Sequence, residues 1–440
     1  MSSINPANET NLRHSFAPRP RNIVETGLSS DLISSLICKL IYADSILDLQ
    51  QLSDKIALSG NIVEVILDEL RKKNWIEILA ASYSSDGERY KLTDKGLTET
   101  LSIIQNKSGY IGPAPVPLEQ YIRVVQAQTI QNAKITRDDV HKTFENITID
   151  PQLLDQLGPA MHSGRAIMIY GLPGTGKTFI CKRLANLLGD SVLLPYALSI
   201  DENIIQFYDP SLHRLAKIPA APITTNLQQG ADPRYIKCQR PVAISGGELT
   251  LEMLEINHDL SARISEAPMQ LKANNGMYII DDLGRQRVSP NDLFNRWIIP
   301  LEEKQDYLSL NNGKRVKIPF DVILIFSANI NPLTLADDAF LRRLGYKIRF
   351  SPINEAQFAA IWTADALALN IDSPASLFEL IFARHKQENR PLVPCLPKDL
   401  LGLINDQCKY QGVAKVATEE RLNIAWETYF INIESKGING

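Results

Sequence analysis

A chain of 440 residues with 44% hydrophobic residues is longer than one ordinary domain and apolar enough to fill sizeable cores, so two or three domains are expected. Its 46 Lys+Arg stand against 50 Asp+Glu, a net charge of -4, which excludes a global attraction to nucleic acid or an anionic membrane and leaves only local binding. No apolar run nears the roughly 18 residues of a membrane span, and the N-terminal stretch offers no apolar signal segment, so a cytoplasmic protein without membrane insertion is expected.

Residues 1–22 are polar, contain three prolines and lack periodicity, which predicts a disordered tail. A helical pattern follows over "DLISSLICKLIYA" and "LDLQQLSDKIAL". In "SGNIVEVILDELRKKNW" either Ser59 or Asn61 can cap a third helix with Ile62, Val65, Ile66 and Leu70 on one face. "WIEILAA" and "RYKLT" read as strands around the turn "SSDGE", and "DKGLTETLSII" reads as a closing helix. Three helices and a two-stranded wing resemble a winged helix-turn-helix module over residues 25–105. The three prolines of "NKSGYIGPAPVPLEQY" break the periodicity and predict a linker over 106–134.

Beyond it, "AIMIY", "SVLLPYA", "MYIID", "DVILIFSAN" and "YKIRF" alternate with helix-sized segments, the pattern of a parallel α/β sheet over 135–351. Residues 352–440 read as a smaller helical domain. Cys38, Cys181, Cys238, Cys395 and Cys408 are scattered and never paired as CxxC, the pattern of reduced thiols rather than metal or disulfide sites.

The stretch "GLPGTGKT" lies where an apolar strand ends and a helix begins. Gly171, Gly174 and Gly176 let successive backbone N–H groups turn inward on an anion, with Leu172, Pro173 and Thr175 completing the loop. Lys177 would neutralise the β- and γ-phosphates of a nucleotide such as ATP, and the Thr178 hydroxyl would take one position on Mg²⁺. A glycine-rich turn with a solvated lysine is the alternative. "MYIIDD" carries Asp281 and Asp282 to the end of a buried strand, Asp281 to bind the metal through water and Asp282 to orient the attacking water. Asn329, ending another apolar strand, is placed to hydrogen-bond that water or the γ-phosphate. Arg342 and Arg343 close a short helix and can stabilise a transferring phosphoryl group, from a neighbouring subunit if the chain assembles; otherwise they are a surface pair. Lys398, at a helix start, either reaches the γ-phosphate or is simply solvated.

This order of motifs resembles that of AAA+ ATPases, in particular the ring-forming branch that includes MoxR-type ATPases. "GLPGTGKT", "MYIIDD", "FSANINP", "AFLRRL" and "LPKDLL" match Walker A, Walker B, sensor 1, arginine finger and sensor 2 over about 135–430. The resemblance implies a parallel five-stranded core, a helical lid and hydrolysis of ATP between subunits of a ring. "DYLSLNNGKRVKIPF" adds a hairpin before sensor 1, as in MoxR-type members, where it often faces the ring pore. Two departures stand out: Asp282 replaces the usual glutamate, which points to slow hydrolysis, and Lys398 replaces the usual arginine, with Arg390 as a competing candidate. Residues 190–276 match no motif and are where specificity is expected.

Two further functions compete with an ATP-driven remodelling machine acting on a protein partner. One is a DNA-binding regulator reading its site through the winged module, where Glu64, Asp68 and Glu69 on the third helix stand against Arg71, Lys72 and Lys73 at its far end, a balance that favours protein contact. The other is a nucleotide-gated scaffold that scarcely hydrolyses ATP.

Overall fold

The structure, a computed structural model, describes residues 16–79, 88–216 and 231–430. The chain divides into two compact units, one of Met1–Ala133, Leu188–Ile279 and Gln286–Leu324, the other of Lys134–Leu187, Ile280–Arg285 and Ile325–Gly440. Among the described residues no helix is long and apolar enough to cross a membrane.

In the first unit, helices Ser30–Asp44, Leu49–Ile56 and Gly60–Lys72 lie where the periodicity predicts them. Ser29 caps the first through its side chain, and Asp48 with Gln51 forms a reciprocal capping box on the second. Strands Ile76–Leu79 and Arg89–Leu92 pair antiparallel, Leu47–Asp48 adds a third strand, and helix Asp94–Asn106 follows. The expected turn falls largely on residues 84–87, outside the described residues. One detail of the third helix is corrected: Ile62, Val63, Ile66, Leu67 and Leu70 are buried, whereas Val65 is exposed. The stripe runs along the 62–66–70 and 63–67 rows, and Val65 lies beyond its edge.

The expected tail and linker both contain ordered structure. Residues 1–15 lie outside the described residues, but Ala17 is buried and its carbonyl accepts from Asp232 N–H. Within 106–134, Val116–Pro117 forms a strand and Leu118–Ala127 a helix that buries Tyr121, Val124 and Val125. The prolines stop before that helix, so they start it rather than prevent it. Val116–Pro117 is one edge of a mixed sheet whose order continues through Ala197–Ile200, Asn203–Gln206, Ile264–Glu266 and Asn257–Asp259. Much of 190–276 is therefore a sheet built around the expected linker. The hairpin Gln305–Ser309/Arg315–Pro319 forms in the expected place, with Leu308, Leu310, Val316 and Ile318 packed in the same core as Tyr121.

The five strands of the nucleotide-type sheet are β1 (Ile167–Gly171), β2 (Val242–Ser245), β3 (Gly276–Leu283), β4 (Val322–Ala328) and β5 (Tyr346–Phe350). Their order is β2-β3-β4-β1-β5, with β1 parallel to both β4 and β5. The fold is thus α/β with a parallel P-loop-type core and a helical C-terminal region, as expected. One strand differs: "SVLLPYA" does not enter this sheet, because Ser191–Pro195 pairs antiparallel with Tyr235–Gln239. "VAIS", a stretch with no assigned role, supplies the fifth strand instead. Both runs are short and apolar, and periodicity alone cannot choose between them.

The C-terminal helices Glu355–Leu369, Leu377–Gln387, Leu396–Gln411 and Glu419–Tyr429 close on Phe358, Trp362, Leu400, Ile404 and Trp426. Trp362 is 1% exposed and donates through Nε1 to Ser373 Oγ at 2.7 Å. Trp362→Ala is expected to cost about 3–5 kcal/mol in denaturant unfolding of this region. Leu367→Ala, 78% exposed on the same helix, is expected to stay within about 0.5 kcal/mol of wild type.

Candidate functional site

The loop after β1 turns through two left-handed glycines, Gly174 at φ 78° and Gly176 at φ 85°, before helix Lys177–Leu184 begins. A side chain at either position would meet the Cβ penalty of that conformation. Gly174 is also closely approached: an added Cβ would lie 2.6 Å from Cys395 Sγ. Thr175 braces the loop by donating from Oγ1 to Leu172 O at 2.8 Å.

Lys177 is buried, and its ammonium folds back to donate to the carbonyls of Gly171 and Leu172 at 2.9 and 2.8 Å. Burial pulls its pKa down, while the charges of Asp281 and Asp282 pull it back up. Thr178 Oγ1 donates to Asp281 Oδ2 at 2.6 Å. Asn329 Nδ2 donates to Asp282 Oδ1 at 2.5 Å, and Asp282 N–H donates to Asp281 Oδ1 at 3.0 Å. Residues that follow or end β1, β3 and β4 thus form one hydrogen-bonded chain from Thr178 to Asn329.

Sheet order explains the convergence. Because β4 lies between β1 and β3, the residue that follows it, Asn329, emerges beside both the loop and the acids. Asp282 itself sits at φ 51°, a left-handed conformation in which aspartate is several-fold enriched over most other side chains. The shorter carboxylate therefore suits the backbone at the position where the family resemblance expects glutamate.

The donor set fits a magnesium nucleotide. Magnesium is held by few protein oxygens and keeps waters and substrate phosphates in its remaining positions. Thr178 and Asp281 present such oxygens in direct contact beside the loop. Among the described residues no cluster of three or more His, Cys, Asp or Glu is placed to hold a metal by itself.

Arg342 is exposed at the C-cap of Asp338–Leu341, and Arg343 donates through Nη1 to Ala339 O at 2.7 Å. Lys398 is exposed; burial raises the pKa of Asp365, and the Lys398 charge offsets only part of that rise. Arg390 is engaged elsewhere, paired with Glu388 and lying 4.1 Å over the Phe430 ring. Sequence reasoning missed Cys395. Its N–H donates to Gly174 O at 3.3 Å, so the segment before the last lid helices touches the phosphate loop itself. Burial, then the charge of Asp399, raises the thiol pKa, which leaves Cys395 a packing residue rather than a nucleophile. Nothing in a lone cysteine signalled this contact.

A family model described as a domain of unknown function (DUF8689) matches residues 354–428, within the helical region. No curated protein matches the chain. Among solved structures the chain is similar to the Thermotoga maritima RuvB Holliday junction branch migration motor, at 12% identity, covering 74% of this chain and 73% of that one with a TM-score of 0.36. It is also similar to a point mutant of that RuvB, at 11% identity over 68% and 72% of the two chains with a TM-score of 0.35. NtrX from Brucella abortus is similar at 11% identity over 64% and 52%, with a TM-score of 0.38.

Proposed function

We propose that the chain binds and hydrolyses ATP with Mg²⁺ as an AAA+ type ATPase, working as a ring-like homo-oligomer that remodels or assembles a protein partner. The observation that carries this reading is the continuous contact from Thr178 through Asp281 and Asp282 to Asn329 beside a loop of left-handed glycines. Lys177 exchanges its bonds to Gly171 and Leu172 for the β- and γ-phosphate oxygens, with the loop N–H groups holding the rest of the charge. Thr178 would hold a magnesium ion directly and Asp281 through water, and the ion would supply charge neutralisation at the phosphates. Asp282 accepts the hydrogen bond that aligns the attacking water, and Asn329 holds Asp282 in place until that water is present. Arg343, with Arg342 as the alternative, faces the developing charge from the adjacent subunit.

The bond from Asn329 to Asp282 also favours a second reading, a nucleotide-gated scaffold in which the base stays occupied and turnover is slow. Lys177→Ala is expected to lose ATP binding in an equilibrium binding assay, and unchanged affinity would remove the phosphate-loop assignment. Asp282→Asn is expected to bind ATP yet lose turnover. Wild-type protein that binds ATP without measurable phosphate release would put the scaffold reading first.

Sharing of sites between subunits is tested by mixing. Arg343→Ala alone is expected to bind ATP and to lose roughly 10³-fold or more in rate. Adding Lys177→Ala subunits, which keep their arginine, is expected to restore part of the activity, and specific activity should rise with protein concentration. No recovery in any mixture would rule out the shared site.

For the N-terminal module we favour a protein-binding role. The outer face of helix Gly60–Lys72 exposes Asn61, Glu64, Val65 and Asp68, two acids and a valine where a groove-reading helix needs donors and cations. Duplex DNA binding at physiological salt is expected to be weak and without sequence preference in a gel-shift titration. A single tight, sequence-specific site would instead favour the regulator.

A further inference from the structure

The first unit holds a cavity of about 390 Å³, in the size range of small-molecule sites. Its walls come from stretches far apart in sequence. Helix Ser30–Asp44 contributes Asp31, Leu32 and Lys39, and the end of helix Asp94–Asn106 contributes Ile103 with Lys107 just after it. The Asp201–Glu202 turn and the hairpin around Leu260 and Arg263 close the other side. The two sides are pinned together, since Gly109 N–H donates to Arg263 O at 3.0 Å and a Cβ on Gly109 would lie 1.9 Å from Ala262 O.

The charges lining the cavity are unevenly matched. Every acid has its own partner: Asp31 pairs with Lys73 at 3.3 Å and Asp201 pairs with Lys314. Asp259 accepts from Ser261 N–H, Ser261 Oγ and Ala262 N–H within its own turn, and Glu202 accepts from Ser29 Oγ at 3.4 Å. His258 bonds Ser265 Oγ through Nδ1, and burial lowers its pKa, so it adds no charge at neutral pH. The cations differ. Among the described residues neither Lys39, Lys107 nor Arg263 forms an ion pair with any of these acids. Lys39 is the most telling: its residue is 1% exposed, and its ammonium has a single hydrogen bond, to Ser108 O at 3.1 Å. Three N–H donors on a buried ammonium call for more than one acceptor. Burial pushes its pKa down to about 8, which still leaves it mostly cationic at neutral pH.

We propose that this cavity binds a small organic anion whose carboxylate or phosphate is held by the charge of the Lys39 ammonium just beneath the cavity wall and whose apolar body lies against Leu32, Ile103 and Leu260. Lys107 and Arg263 at the exposed rim draw the anion in. The site is independent of the ATPase reading, because no residue of the phosphate loop or acid cluster lines it.

The test uses full-length protein and the dye 1-anilinonaphthalene-8-sulfonate, an apolar body carrying one anionic group, read by fluorescence. Saturable binding is expected, weakened at least about tenfold by Lys39→Met and by Arg263→Glu, and unchanged in Lys177→Ala. Displacement by citrate but not glycerol 3-phosphate would assign a carboxylate ligand, and the reverse a phosphate. Either result, or displacement by both, supports the site. Wild-type dye affinity in both cavity variants, or displacement by neither anion, overturns it. Should Lys39→Met fail to fold by circular dichroism, the exposed Arg263→Glu decides alone.

Discussion

The hydrogen bond from Thr178 to Asp281 joins the start of the helix that follows β1 to the end of β3, a strand that is not β1's neighbour in the sheet. One strand width, about 4.8 Å per step, separates β1 from β4 and another separates β4 from β3. Only a side chain at the start of the loop helix and a carboxylate at the end of β3 can bridge that gap, and β4 must end where they meet. Asn329 occupies that place and completes the network through Asp282. The remaining features of the site adjust around this constraint, including the left-handed turn at Asp282 and the folded-back ammonium of Lys177.

The phosphate loop is held from two directions. On one side Lys177 and Thr175 satisfy its carbonyls, which keeps the loop in shape. On the other, Cys395 lies against Gly174 so closely that only a residue without Cβ fits. The C-terminal helical region thus touches the loop through the backbone of Cys395, while Lys398 and Arg390 are not part of that contact. Lys398 is turned to solvent and Arg390 is engaged by Glu388 and Phe430.

Segments of 190–276, for which sequence offered no motif, supply four strands of a mixed sheet whose core is shared with helix Leu118–Ala127 and the 305–319 hairpin. Its strands close around helix Leu118–Ala127, and Arg234 ties the segments together. That guanidinium pairs with Asp232 at 2.7 Å and donates to Thr26 O, Pro115 O and Gln120 Oε1. A buried arginine with every donor satisfied specifies which backbone segments meet, since any other arrangement would strand a charge.

Sequence alone determined the place of the glycine-rich loop between a strand and a helix, of the acid pair near a strand end and of Asn329 after another strand, and the α/β class. Each of these is local, because glycine freedom, a buried apolar strand and a terminal carboxylate are written within a few adjacent residues. It also determined the three N-terminal helices, whose buried faces follow the apolar periodicity except at Val65. Sequence could not decide which short apolar run joins the core sheet, because Ser191–Pro195 and Val242–Ser245 look alike until their hydrogen-bonding partners are known. Nor could it show that a proline-rich stretch seeds a helix, that Val65 faces outward, or that Cys395 packs on Gly174. Those outcomes depend on pairings between segments far apart in the chain, and only the tertiary structure holds that information.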